Sequence, residues 1–103
     1  MRREVPWLKR LPSEYVAEHL WLTTQPLEVS PEREQMIQLL GWINGDRKLV
    51  YSSDYPHWDA DEIHYVARRI PQTWHRRVFF ENALEFYGWT EADLPAPAAM
   101  AVA

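Results

Sequence analysis

The residues best suited to chemistry lie in one stretch, residues 52–59, directly after the short apolar run of residues 49–51. The run predicts a strand buried on both faces, and it ends in two hydroxyl residues, the carboxylate Asp54, a Tyr-Pro pair and His57. Barrels and open α/β sheets place active sites at the carboxyl ends of strands, where neighbours fix the strand and the following loop varies. Asp54 could therefore ligate a divalent metal or take a proton from water.

Each of these residues also has a structural interpretation. Asp54 could close a turn or cap a helix, which is common for Asp after a strand. His57, next to the rigid Pro56, could contact substrate or orient a group that touches a metal, or it could only bond the loop backbone. Trp58 could line a pocket for a flat substrate, but we favour a position at the top of the core.

The hydroxyl residues of the stretch do not predict a nucleophile. Ser52 and Ser53 lack the Gly-x-Ser-x-Gly pattern that exposes a hydrolase serine on a sharp turn. Ser53 could still contact a substrate or support a neighbouring group. Thr23, Thr24 and Gln25 end the preceding strand at the same rim of the sheet as Asp54, the edge formed by the carboxyl ends of the strands. They could reach a ligand there or only close a turn.

A helix between two strands must position this stretch. Residues 19–24 predict the first strand, which Gln25-Pro26 ends. Ser30-Pro31-Glu32 predicts a helix start with a hydroxyl cap and Pro at the first helical position, and Asn44-Gly45 predicts its stop. The two strands should then be parallel with a right-handed connection. The apolar stripe of this helix comprises Met36, Ile37, Leu40 and Ile43.

Further helices flank this unit. Pro12 predicts the start of a helical turn, and Asp59 and Asp61 are candidate caps for a helix that Pro71 ends. The apolar stripe of that second helix comprises Ile63, Val66, Ala67 and Ile70. A last helical region begins at Thr73 and ends at Gly88, a candidate left-handed cap.

The remaining candidate polar residues favour structural roles. Asp61 and His64 lie one helical turn apart, but with no third convergent ligand a solvated helix face is the better interpretation. His19 is a weaker candidate still. His75 stands beside two arginines, a poor setting for a cation. We expect Asn82 to satisfy backbone groups behind the last strand.

Composition excludes several classes of function. The chain has 103 residues and a net charge of −4, and its basic residues are scattered, which disfavours nucleic-acid binding. The absence of cysteine rules out disulfides and thiolate metal sites. We identify neither a signal peptide nor a membrane span, so a cytoplasmic protein is the default expectation.

The run of residues 52–57, Ser-Ser-Asp-Tyr-Pro-His, resembles the (G/S)-(S/T)-D-Y-P-H signature of the amidohydrolase-related family, relatives of aminocarboxymuconate-semialdehyde decarboxylase. Two further pieces are similar to this family: residues 11–16 running into 21–27, and residues 81–83 running into 86–88. Together they span residues 11–89. The resemblance implies an α/β fold, the last two β/α units of a TIM (β/α)8 barrel, incomplete as a single chain because a full barrel needs roughly 250 residues. Residues 1–92 would form this C-terminal part and residues 93–103 a disordered tail.

The resemblance also implies an activity. Family members hydrolyse or non-oxidatively decarboxylate small carboxylate-type substrates with a divalent metal, zinc above all, and Asp54 matches their metal ligand or catalytic base. Their other ligands lie on earlier strands, so we expect the chain alone to be inactive and to hold no tightly bound metal.

The alternative is a small non-catalytic binding or assembly module derived from this fold. The six Trp, five Tyr and three Phe would leave apolar faces exposed, through which the chain could self-associate or dock on a partner chain.

Overall fold

The computed structural model describes residues 4–27 and 30–96, and its centre is a β–α–β unit. Helix α1 spans Pro12–His19 and strand β1 Leu22–Thr23; helix α2 spans Arg33–Trp42, and a single turn, α3, spans Gly45–Lys48 before strand β2 at Leu49–Val50. Helix α4 follows at Ile63–Arg69. The chain then forms a 3₁₀ turn at Gln72–Trp74, a π-helical turn at Arg77–Glu81, helix α5 at Asn82–Tyr87 and a 3₁₀ turn at Glu91–Asp93.

The two strands pair in parallel, as predicted from the intervening helix. Leu22 lies opposite Leu49 and Thr23 opposite Val50, and the Thr24 amide extends the ladder by donating to the Val50 carbonyl at 3.0 Å. The first strand is nevertheless two residues long, not the predicted six, because α1 continues through His19 and takes the amino-terminal part of that segment.

The prediction that β2 is buried on both faces is only partly right. Leu49 is 2 % exposed, whereas Val50 and Tyr51 are half-buried and both residues of β1 are exposed. Helices cover one side of the sheet, and within residues 4–27 and 30–96 no second layer covers the other.

The outer edge of β2 is covered by the chain itself. Alternate residues of a strand direct their backbone groups to opposite sides, so Leu49 and Tyr51 face away from β1. The Tyr51 amide donates to the Val78 carbonyl at 3.0 Å, and the Leu49 carbonyl accepts from the side-chain amide of Asn82 at 2.8 Å. The C-terminal helical segment thus occupies the position that a third strand would take.

Helix α2 begins at Arg33, two residues later than predicted from Pro31. The Ser30 hydroxyl makes no cap for the helix; it accepts from the Glu32 amide at 3.4 Å and donates to the Gln35 side-chain carbonyl at 3.1 Å. The predicted stop is confirmed at Asn44, which adopts the left-handed conformation with φ of 55°. Asn tolerates this conformation better than most residues.

The core lies between the helices and the covered face of the sheet. Its buried apolar side chains are those of Leu27, Met36, Leu49, Val66, Ile70 and Val78. The predicted stripe of α2 is confirmed as its inward face, with Met36 buried and Ile37, Leu40 and Ile43 half-buried. Of the stripe predicted for α4, Val66 and the capping residue Ile70 are buried, Ala67 is half-buried and Ile63 is exposed.

In the C-terminal half, one predicted helix boundary is wrong and another is confirmed. The predicted caps of α4 are wrong: the capping position is Glu62, and the Asp61 carboxylate instead accepts from the Leu27 amide at 3.4 Å. The predicted end at Gly88 is confirmed, with φ of 68°. The expected tail at residues 93–103 stays a prediction, since residues 97–103 lie outside the described residues.

No helix in the described part of the chain has both the length and the apolar character needed to cross a membrane.

Candidate functional site

The Asp54 loop, residues 52–61, projects from the carboxyl end of β2 and is closed at its base by hydrogen bonds. The Asp61 amide donates to the Ser53 carbonyl at 2.9 Å, and the Tyr51 hydroxyl donates to the Asp61 carbonyl at 3.0 Å. From the end of β1, the Gln25 side-chain amide donates to the Asp59 carbonyl at 3.0 Å. Both strands therefore hold the loop, and its tip is left exposed.

Asp54 occupies the position that its sequence context predicts, immediately beyond the strand end. Its backbone is left-handed, with φ of 56°, a conformation in which Asp is enriched among non-glycine residues. The Asp54 carbonyl accepts from the His57 amide at 2.9 Å, which closes a tight turn around the cis Tyr55–Pro56 bond. The carboxylate is left out of this turn and is 46 % exposed, so it can act on a ligand.

His57 and Asp59 come close to the Asp54 carboxylate. The His57 Nδ1 atom lies 3.6 Å from Asp54 Oδ2, and a ligand atom from each of the three residues lies within 4.8 Å of the others. Donors around a zinc ion at about 2.0–2.2 Å from it are roughly 3–4 Å apart, so modest side-chain rotation would bring this set onto one ion. Two carboxylates and an imidazole fit a divalent ion such as Zn²⁺ or Mn²⁺.

Sequence reasoning missed Asp59, which it assigned to capping α4. The Asp-x-x-His-x-Asp spacing of the loop was the available signal, because a tight turn at Pro56 folds residues three and five positions after Asp54 back toward it.

The other predicted residues of the loop have different surroundings. The Ser53 hydroxyl accepts from the Tyr55 amide at 3.3 Å, so it supports the turn that carries Asp54. Trp58 is 96 % exposed, and the prediction that it fills the top of the core is wrong. The loop carries Trp58 beyond the end of the sheet, where no element of the described chain packs on it.

On the β1 side of the rim, Thr24 is a structural residue. It is fully buried; its Oγ1 accepts from the Ser52 amide at 3.2 Å and donates to the Ser52 carbonyl at 3.4 Å. Thr23 is exposed and its hydroxyl donates to the Gln25 carbonyl. These bonds lock the two strand ends together, and Gln25 reaches further along the Asp54 loop, to the Asp59 carbonyl.

The remaining histidines lie apart from the loop cluster. His64 is exposed on α4, and it belongs to no group of three or more candidate metal ligands among the described residues. His75 Nε2 contacts the Ala67 carbonyl at 2.9 Å and its ring packs edge-on against Phe79. His19 is exposed, 3.6 Å from a Glu18 carboxylate oxygen. These placements agree with the structural roles that the sequence favours.

Asn82 is confirmed as a structural residue. Its side chain is fully buried, and its Nδ2 group donates to the carbonyls of Leu49 at 2.8 Å and Asp46 at 2.9 Å. Its Oδ1 accepts from the Arg77 guanidinium at 3.2 Å. Asn82 therefore joins α5 to α3 and β2 from behind the sheet.

A separate apolar groove is lined by residues of both strands and of α5. Its volume is about 290 Å³ and its lining is mostly apolar and aromatic: His19, Leu20, Trp21, Leu22, Thr23, Val50, Phe86 and Tyr87. Trp21 and Phe86 meet edge to face, with ring centroids 5.7 Å apart. Leu20, Leu22, Phe86 and Tyr87 are exposed there, so the groove is an open apolar surface.

Comparison with known proteins supplies a family for this geometry. No curated protein matches the chain significantly. The family model described as amidohydrolase, whose members have TIM-barrel folds and usually use divalent metals, matches residues 1–89. That range contains the β–α–β unit, the Asp54 loop and α5. The chain belongs to the amidohydrolase family.

Proposed function

We propose that this chain provides the last two β/α units of a metal-dependent amidohydrolase-like barrel enzyme, with the Asp54 loop as its contribution to the active site. The observation that carries the proposal is the position of Asp54, an exposed carboxylate at the carboxyl end of a parallel strand in a β–α–β unit. Catalytic residues of such barrels occupy this end of the strands.

The proposed reaction is hydrolysis or non-oxidative decarboxylation of a small carboxylate-type substrate, as in the decarboxylase relatives that the Ser-Ser-Asp-Tyr-Pro-His run resembles. A divalent metal, zinc in our proposal, would polarise the substrate or activate water. Asp54 would be a ligand of that metal and the base that accepts a proton. His57, 3.6 Å from it, is placed to orient the carboxylate or to contact substrate. In this proposal Ser53 and Trp58 would contact the substrate, and the exposed Trp58 ring would stack on a flat one.

The proposal requires further strands from outside this sequence. The described residues provide two strands, whereas a barrel of this class closes with eight. In the proposed barrel the preceding strands would pair with the outer edge of β1. We therefore expect the chain alone to be catalytically inactive.

Reconstitution of a barrel from two parts tests this function. The chain would be co-expressed with the first six β/α units of an amidohydrolase-family enzyme, and metal-dependent turnover of small unsaturated or aromatic carboxylates would be followed by CO₂ release and by hydrolysis. We expect turnover that requires both parts and that Asp54→Asn abolishes. The control Asp61→Asn removes a carboxylate of the same loop outside the cluster and should retain turnover. Full activity of Asp54→Asn, or turnover by the chain alone as a monomer, would refute the proposal.

The alternative, a non-catalytic assembly module, is favoured by one observation, the open apolar groove beside β1. Contiguous exposed apolar patches mark partner-binding sites, whereas single exposed apolar residues are common on any protein surface. Sequencing the DNA upstream of Met1 separates the two functions. A His-x-His motif and further strands encoded there, in any frame, favour the enzyme; their absence favours the module.

A further inference from the structure

We infer that Gln25, at the carboxyl end of β1, is a positioning residue for Asp54. Its side-chain amide donates to the Asp59 carbonyl at 3.0 Å, so it ties the part of the Asp54 loop that follows the turn at Pro56 to the neighbouring strand. This role rests on the proposed function for the catalytic part played by Asp54. It deepens that function because it gives a residue of the adjacent strand the task of holding the carboxylate in place.

Packing does not hold the tip of the Asp54 loop, because residues 54–60 are all exposed. A segment with few buried contacts opens easily, so the position of its backbone depends on hydrogen bonds. The Asp54 backbone is in addition left-handed, with φ of 56°, a conformation that persists in a non-glycine residue when the surrounding structure holds it. The place of the Asp54 carboxylate therefore depends on the bonds that reach the loop from its neighbours.

The hydrogen bonds of the loop include some that set its shape and others that set its place. Inside the loop, the amides of His57 and Ala60 donate to the carbonyls of Asp54 and His57, at 2.9 and 3.1 Å. These two consecutive turns make the tip one unit, but they leave that unit free to tilt about the base of the loop. The Gln25 side chain holds the Asp59 carbonyl beyond the base and therefore resists this tilt.

Gln25 is itself fixed at its backbone. Its carbonyl accepts from the Thr23 hydroxyl at 3.2 Å. The preceding residue, Thr24, is fully buried and accepts from the Ser52 amide. The half-buried Gln25 side chain thus extends from a fixed strand end and presents an N–H donor to the loop of the next strand.

The expected effect of this tie on the reaction is geometric. Catalytic groups must be held within about 0.5 Å of their productive position, and misplacement by about 1 Å can cost about 100-fold in rate. Gln25 would act on the reaction through the position of Asp54. Its loss should therefore lower kcat more than it changes KM, since the other strands of the proposed barrel would supply most of the substrate-binding surface.

Loop mobility in the purified chain tests the tie without any activity assay. Gln25→Met removes the donor, keeps a side chain of similar length and adds no charge. Relaxation of the ¹⁵N nuclei would be measured for the backbone amides of the chain. We expect the order parameters of residues 57–60 to fall from about 0.85, typical of rigid backbone, toward the flexible range below about 0.6. The core amide of Ile70, bonded to the Val66 carbonyl, should be unchanged.

A control and a rescue separate this role from a general effect on stability. Gln38→Met makes the same replacement at an exposed glutamine of α2 and should leave the loop as it is. Gln25→His returns a ring N–H at a similar reach, mostly neutral at about pH 8, and should restore the order of the loop. A replacement that only weakened the fold would raise mobility throughout the chain and would gain nothing from the histidine.

Turnover of the reconstituted barrel completes the test. Gln25→Met should lower kcat by at least about tenfold with little change in KM, and Gln25→His should recover most of the loss. Unchanged loop relaxation in Gln25→Met, a loss that Gln25→His does not reduce, or full kcat despite a mobile loop overturns the inference. If Asp54→Asn still abolishes turnover in that case, the proposed function stands without it. If Asp54→Asn leaves turnover intact, the proposed function fails, and the catalytic role of Gln25 fails with it.

Discussion

The side-chain amide of Asn82 lies 2.8 Å from the Leu49 carbonyl and donates a hydrogen bond to the outer edge of β2. The same amide donates to the Asp46 carbonyl, and the side chain is 0 % exposed. Asn82→Ala would leave two carbonyls behind the sheet without a donor, so we expect a loss of about 2 kcal/mol in the free energy of unfolding, measured in urea. A change below about 0.5 kcal/mol would contradict this role.

The neighbouring residues Thr23 and Thr24 allow a matched test of the rim. Thr24 is buried with its hydroxyl bonded to the Ser52 backbone, whereas Thr23 is exposed. Thr24→Val keeps the shape but leaves the Ser52 amide without its acceptor, and should lower the free energy of unfolding by about 1–2 kcal/mol. Thr23→Val should change it by less than about 0.5 kcal/mol. Equal effects in chemical denaturation would show that the Thr24 hydrogen bonds do not stabilise the rim.

Gly45 and Gly41 should respond in opposite directions to a methyl group. A Cβ at Gly45 would meet the Leu40 carbonyl oxygen at 2.8 Å and the Trp74 ring at 3.1 Å. Gly45→Ala should therefore destabilise the protein by about 1–3 kcal/mol through overpacking. At Gly41 nothing lies within 4 Å, and Ala should stabilise α2 by up to about 1 kcal/mol. Thermal denaturation of both variants measures the difference, and a stable Gly45→Ala protein would refute the close contact.

Asp93 predicts a specific pH dependence. The Thr90 amide, and then the Thr90 hydroxyl, both donate to its carboxylate and lower the pKa of Asp93 below its usual value of 3.8. Because the folded pKa is the lower one, the stabilisation is fully present above about pH 4 and is lost as the pH falls through the folded value. An NMR titration of the Asp93 carboxyl carbon should give a midpoint below 3.8.

Thr90→Val separates the two donors of that interaction. It removes the hydroxyl but keeps the backbone amide, so the pKa of Asp93 should rise only part of the way toward its usual value. A complete return to that value would assign the whole effect to the hydroxyl and contradict the larger contribution of the amide.

Much of the fold follows from local sequence signals. Parallel pairing of the strands, the stop at Asn44 and the end at Gly88 were predictable because each depends on a short pattern or on one residue with special backbone freedom. The start of α2 at Arg33 and the short β1 were not. They depend on competition between neighbouring segments: the Ser30 hydroxyl is engaged elsewhere, and α1 extends into the first strand.

The candidate site also has some features that local sequence predicts and others that depend on tertiary structure. The position of Asp54 follows from the strand that precedes it, which is visible in the sequence. The nearness of Asp59 to Asp54 depends on the path of the turn around Pro56, and the exposure of Trp58 depends on how far the loop extends beyond the core. Both are tertiary properties, and residue type favoured the wrong answer for each.

The covered outer edge of β2 makes the two edges of the small sheet unequally accessible to a further strand. An incoming strand on that side would have to displace the Asn82 amide from the Leu49 carbonyl and the Val78 carbonyl from the Tyr51 amide. Among residues 4–27 and 30–96, no comparable bond covers the outer edge of β1. The two edges of the sheet therefore differ: a strand that closes a barrel at β2 must first displace the bonds made by Asn82 and Val78, whereas pairing at β1 requires no such exchange.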